Sequence, residues 1–228
     1  MKNFLIGSAF LLTVVTGCQT TDTAVTPEIS STSVTGHIIG RDSLYTGNYL
    51  GLVVNDEAEN VYKVVQTLQQ TKGVTYLNIV SNFASDFAQL RERIPLYQYM
   101  LLDQNRGTDS GVQINLEADQ IKSIYLNSGT KLTQWPANSK TSSIRVGDTA
   151  GSLYEKLASI RQVSAYATTF ERILLLTKNL SKPYDPAMRQ SPQWYFAYTT
   201  EPNRMDEVQI HFKDGKVDHI YVTHYQTR

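Results

Sequence analysis

The chain predicts an α+β fold: two tandem repeats, each running helix, helix, strand, strand, strand, with a helical layer on a small antiparallel sheet. Three observations predict it. Residues 111–126 (GVQINLEADQIKSIYL) and 207–222 (EVQIHFKDGKVDHIYV) align over sixteen positions without a gap, each reading as two alternating strands around a tight turn. A further strand-like segment precedes each hairpin, over Leu96 to Leu102 and over Gln193 to Thr199. Apolar stripes of helical period precede both of those. The echo extends to the order of elements, so duplication explains it better than chance likeness between two amphipathic hairpins.

The chain opens with Lys2, a mostly apolar run from Phe4 to Val15, and the close Val15-Thr16-Gly17-Cys18. Residues 1–17 therefore read as a secretory signal, too short to remain as a membrane-spanning helix. Cys18 is the only cysteine, so no disulfide or thiolate cluster competes for it. The close resembles the lipobox of bacterial lipoproteins. That resemblance implies cleavage after Gly17, lipidation of Cys18 and acylation of the new amino terminus, an anchor of several acyl chains. Gln19 follows where inner-membrane retention favours Asp, so the resemblance also implies the outer membrane, with the domain on its periplasmic face. Residues 18–33 have little to pack and read as the lipidated cysteine and a flexible tether.

The first repeat is expected over residues 34–138 and the second over 139–228. In the first, Asp56 and Glu59 have capping-box spacing, and Val61, Val64, Val65 and Leu68 make one helical stripe. Phe83, Phe87, Leu90 and Ile94 make a second, ending near Pro95. In the second repeat Asp148 is placed to cap a helix carrying Leu153, Leu157 and Ile160. Another stripe uses Tyr166, Phe170, Ile173, Leu174 and Thr177, stopping before Pro183. For the closing hairpin a three-residue turn with Gly215 left-handed is expected, because it sets Val208 and Ile210 on one face with Ile220 and Val222.

With this element order behind a lipobox, the chain resembles the BamE-like (SmpA/OmlA) assembly lipoproteins, and its doubling resembles the tandem fold of the beta-lactamase inhibitor protein. The segments that carry the likeness are Ile144-Arg-Val-Gly-Asp-Thr149, Trp194-Tyr-Phe-Ala-Tyr198 and Val208 through Val222. In the first repeat they are Leu52-Val-Val-Asn-Asp56, Tyr97-Gln-Tyr-Met-Leu101 and Val112 to Leu126. The resemblance implies a non-enzymatic envelope protein that binds or scaffolds other envelope proteins through its sheet surface and loops. An inhibitor of a periplasmic or secreted enzyme is the alternative it leaves open, and an envelope hydrolase with an unrecognised site is the third.

Composition supports binding over chemistry. Without its first 17 residues the 228-residue chain keeps 211, with 20 basic and 21 acidic side chains once Lys2 is gone. That balance gives no reason to expect nucleic acid. No phosphate-cradling glycine loop, nucleophile elbow or HExxH helix occurs. His211 and His219 fall on the two strands of the last hairpin, but no cysteine or tight acidic cluster joins them, so neither metal nor cofactor is expected. Fourteen tyrosines against seven phenylalanines suit a half-exposed sheet and a recognition surface. The candidate protein-binding residues are Tyr125, Tyr195, Tyr198, Arg204, Gln209, His211, His219 and Tyr221.

Overall fold

In the computed structural model, which describes residues 36–139 and 142–227, ten strands join in one antiparallel sheet. The expected signal, Cys18 and the whole of the tether lie outside the described residues. The elements in order are β1 (Gly36–Leu44), β2 (Asn48–Tyr49), β3 (Leu52–Val53), α1 (Ala58–Lys72), β4 (Leu77–Ile79), α2 (Leu90–Arg93) and β5 (Tyr97–Asp103). There follow β6 (Val112–Glu117), β7 (Gln120–Leu126), β8 (Lys131–Leu132), β9 (Gln134–Trp135), β10 (Ile144–Arg145) and α3 (Ala150–Arg161). The last are β11 (Arg172–Lys178), β12 (Gln193–Glu201), β13 (Arg204–Lys213) and β14 (Lys216–Thr227). The sheet runs β1-β14-β13-β12-β4-β11-β5-β6-β7-β8, and β2-β3 and β9-β10 form two small satellites.

This overturns the expected pair of helix-helix-strand-strand-strand units, each with its own small sheet. One long helix per half survives, α1 and α3. The stripe over Phe83 to Ile94 is not one helix: Phe87–Gln89 and Ile94–Leu96 are 3₁₀ turns flanking the four residues of α2. Ser81, Asn82, Ser85 and Asp86 interrupt the pattern, Ser81 with φ +53°, and such residues favour turns. The stripe from Tyr166 to Thr177 divides into a 3₁₀ segment, Ser164–Phe170, and β11. A short apolar run such as Arg-Ile-Leu-Leu-Leu-Thr-Lys fits helix or strand by period alone. The middle of the sheet decides for strand, because there both faces of β11 are buried.

The duplication is visible in an exchanged form. β4 from the first half lies against β12 of the second, and β11 from the second lies against β5 of the first, with β4 and β11 paired at the centre. The helices are exchanged in the same sense. The Ala58 amide, opening α1, donates to the Gly215 carbonyl in the β13–β14 turn, and the Ala150 amide, opening α3, donates to the Asp119 carbonyl in the β6–β7 turn. Asn55 and Gly147 repeat the equivalence, donating to Val217 and Ile121. Neither expected acidic cap is made: Asp56 accepts from Glu57 and Asn60, and Asp148 from Arg145.

Each hairpin closes with two residues rather than three. Ala118 and Asp119, and Asp214 and Gly215, all have positive φ, as a type I′ turn requires. A one-residue bulge follows, at Lys122 in one hairpin and Asp218 in the other. The bulge restores the phase, so Val208, Ile210, Ile220 and Val222 do share the buried face.

Both long helices pack on one face of the sheet. Val61, Val65 and Leu68 of α1 and Leu153, Leu157 and Ile160 of α3 join Ile114, Ile124, Trp194, Phe196, Ile210 and Ile220 in a single apolar cluster. Lys178 lies wholly buried beneath it, donating to the carbonyls of Leu96 and Asn179 at 3.0 Å each. Burial pushes its ammonium down to about 7. Beside it Asp185 accepts from Arg93 and from the Tyr97 hydroxyl, and Asn82 bonds to both of those donors. These buried polar groups satisfy one another, which marks them as a structural centre where the two halves cross. Strand residues of the opposite parity form the second, open face.

Candidate protein-binding face

Alternation along each strand fixes what the open face displays. The Cα partners Ser43, Tyr221, Gln209, Tyr195, Asn78, Thr177, Tyr99, Asn115 and Ser123 follow one another across nine strands in a single transverse row. Every member carries a hydroxyl or an amide, and none carries a charge. Neighbours along and across the row bond to each other: Thr177 Oγ1 donates to Asn78 Oδ1 at 2.7 Å, and the Tyr99 hydroxyl donates to Gln113 Oε1 at 2.6 Å. A second row starts at Phe83, which makes a lone bridge to Leu174, and continues through Leu101, Gln113 and Tyr125 to Lys131 at the far edge. Phe83 is 51% exposed. Tyr99, Leu101, Leu174 and Ala197 are buried yet stand outside the apolar cluster under the helices, as residues of the open face must.

The sequence-derived candidates divide on this geometry. Tyr125, Tyr195, Gln209, His211, His219 and Tyr221 all belong to the open face. Tyr125 and Tyr221 are seven strand spacings apart, about 34 Å at the usual spacing, so they mark opposite ends of one surface rather than one contact point. Tyr198 is on the covered face, where its hydroxyl meets those of Tyr49 and the Asp206 carboxylate at 2.8 and 3.1 Å. An odd step of three from Tyr195 in a regular strand puts the two tyrosines on opposite faces, a signal already present in the sequence. Arg204 opens β13 at the end of the sheet and pairs with Glu201, away from both rows.

At the β13–β14 end the face carries four rings. His211 and His219 are cross-strand partners stacked with centroids 4.3 Å apart and planes 12° from parallel. Tyr45 continues the stack on His219 at 5.4 Å. Tyr221 stands edge-on to Tyr45 and His211, its hydroxyl 3.0 Å from that of Tyr45. Asp218 Oδ2 lies 2.7 Å from His219 Nδ1, while His211 Nε2 is enclosed with no partner among the described residues. Burial and the neighbouring His219 hold the His211 imidazole below its ordinary range.

Sequence reasoning missed Phe83, Tyr45 and Tyr76 as surface groups and Tyr99 as a buried member of the row. Phe83 had been assigned to a helical stripe, although its Ser-Asn and Ser-Asp flanks carry loop chemistry. Tyr76 precedes β4 with the parity of Asn78, and burial together with Glu207 and Tyr195 raises its hydroxyl to about 12.

A second polar cluster ties the sheet edge down on the covered side. His224 lies between two carboxylates, 2.7 Å from Asp206 Oδ1 and 3.2 Å from Asp42 Oδ2. The Asp206 hydrogen bond, with Asp42 adding to it, holds His224 above its ordinary range. Among the described residues no group of three or more His, Cys, Asp or Glu is placed to hold a metal ion. Cavities of about 550 and 280 Å³ lie beside the β13–β14 turn and beside His224, and neither opens on the row of uncharged side chains. Comparison of the chain with family models, curated proteins and solved structures finds no match.

Proposed function

We propose that the chain is a non-enzymatic, lipid-anchored protein of the cell envelope that binds another envelope protein through the open face of its sheet. The observation that carries this reading is the uncharged transverse row with Phe83 exposed beside it. The charged side chains that share this face, among them Arg41, Glu207, Lys131 and the Asp103–Arg172 pair, flank the row and leave the row itself uncharged. Protein interfaces lose charge at their centres and gain aromatic groups, which is the composition of this row. Phe83 has the character of an anchor: a large exposed ring whose neighbours along the row, Leu174 and Leu101, are apolar. The proposed anchor is lipidated Cys18, with the outer membrane as its site. No helix among the described residues is long and apolar enough to cross a membrane.

A photoreactive side chain replacing Phe83 or Tyr125 tests the face. Both should link to one and the same envelope protein, whereas the same group replacing exposed Lys63 on α1 should not. With that protein purified, Phe83→Ala should raise Kd about tenfold or more, near 1.4 kcal/mol. Equal linking from the helical side, or binding indifferent to Phe83, would overturn the face. Fractionation beside Cys18→Ala tests the anchor: an unmodified Cys18 in a soluble wild-type protein would remove it.

A further inference from the structure

We propose that the Tyr45–His219–His211 stack is a proton-operated switch on the docking face, closed while the histidines are neutral and forced open when both are charged. The inference rests on the reading of that face and adds its regulation. Tyr45 is 61% exposed, and among the described residues its ring and hydroxyl meet the stacked His219 ring and Tyr221, edge-on and through the hydroxyl. Whatever parts the rings therefore releases Tyr45 and frees Tyr221 to turn.

The groups around the pair give the two protons unequal welcome. His219 has Asp218 on Nδ1 and the face of Tyr45 against its ring, so one positive charge is accommodated there. His211 has no such company. Its Cα partner on β12 is the neutral Gln193, its Nε2 is enclosed and unpartnered, and its nearest ionisable neighbour is His219 itself. Along β13, Glu207 is already engaged by Gln209 at 2.8 Å, while at the turn Lys213 faces Lys216, whose ammonium is paired with Glu57 at 3.4 Å. A second proton thus sets two cations face to face at 4.3 Å with one carboxylate between them to share. Histidine is the side chain whose charge changes in the mildly acidic range, where such a surface can be reset without unfolding. The corresponding pair in the other hairpin is Asn115 and Ser123, which cannot take a proton, so the switch belongs to one end of the face.

Proton NMR of the imidazole and tyrosine rings in the full chain, followed downward from neutral pH, tests this without any partner. His211 should take its proton only below the ordinary imidazole range. The Tyr45–Tyr221 contact should fade along the His211 curve. His211→Phe, which keeps a ring in the stack but cannot be charged, should hold that contact through the same range, and His219→Phe should do so too. A Tyr45–Tyr221 contact that stays unmoved while His211 takes its proton would overturn the switch. Loss of that contact along the His211 curve in a protein whose Phe83 links to nothing would count against the docking reading alone.

Discussion

His224 and His211 sit 13 residues apart in one hairpin and respond to pH with opposite sign. His224 is held above 6.5 by Asp206 and Asp42, so its contribution to stability is complete below 6.5 and is lost as pH rises through the raised value. His211 is held below 6.5, so the folded state is favoured above 6.5 and loses that advantage as pH falls toward the lowered value. Replacing His224 by Asn isolates the first effect from other titrations such as that of Lys178. The difference in Tm between wild type and His224→Asn should be largest at pH 6 or below and shrink toward alkaline pH. A charge-assisted hydrogen bond is worth about 1.5–3 kcal/mol, and the partial exposure of His224 places the effect at the low end. A difference independent of pH would show that the ring acts by packing alone. Gly111 offers a second residue-level test. A Cβ there would lie 2.2 Å from Asn127 Nδ2 and 2.7 Å from Asp103 Cγ. Neither neighbour is free to move, since Asn127 is tied to Asp103, Thr108 and Gln113. Gly111→Ala should therefore cost about 1–3 kcal/mol in denaturant unfolding.

At the scale of elements the hairpins were the most legible part, because a period of two survives in both copies, and the upstream strands β5 and β12 were found within a residue or two. β1 and β4 were not foreseen, and β11 was taken for helix. Its residues are apolar on both sides, and nothing local distinguishes a doubly buried strand from a turn of buried helix. The partners that decide the matter, β4 and β5, belong to the other half of the chain, beyond any window of local sequence. The site was legible only as far as parity: Tyr125, Tyr195 and Tyr221 follow from alternation, but Phe83 reaches the face through an irregular segment. Turn chemistry was read half correctly. Asp119 takes φ +59° where the other copy has Gly215 at +78°. Asp119→Gly should relieve that backbone cost and stabilise the protein by about 0.5–1 kcal/mol, less what is lost with the exposed ion pair to Lys182. The amide of Ala150 still finds the same carbonyl, so α3 keeps its docking point. A lower Tm for this variant would mean that the side chain of Asp119 contributes more than its backbone strain costs.

Over the whole molecule, the exchange makes the two halves mutually dependent. Within the large sheet four strand pairings cross between them, β1 with β14, β12 with β4, β4 with β11, and β11 with β5, and β9 with β10 adds a fifth outside it. Each long helix also has its first amide on a turn of the other half. A first half alone would leave β4 without either neighbour and β1 without its only one, unpaired edges with apolar faces that favour aggregation. Residues 1–140 and 141–228 made as separate chains should therefore each lack a cooperative melt, and together should assemble one to one with the full chain's circular dichroism. The docking face obeys the same logic. Its transverse row takes Ser43, Asn78, Tyr99, Asn115 and Ser123 from the first half, and Tyr221, Gln209, Tyr195 and Thr177 from the second, alternating at the centre. A partner gripping that row should bind the reassembled pair and neither half alone. Were one half to fold and bind by itself, the exchanged centre would not be the feature that builds the face, and the single-repeat hairpin surface would be sufficient.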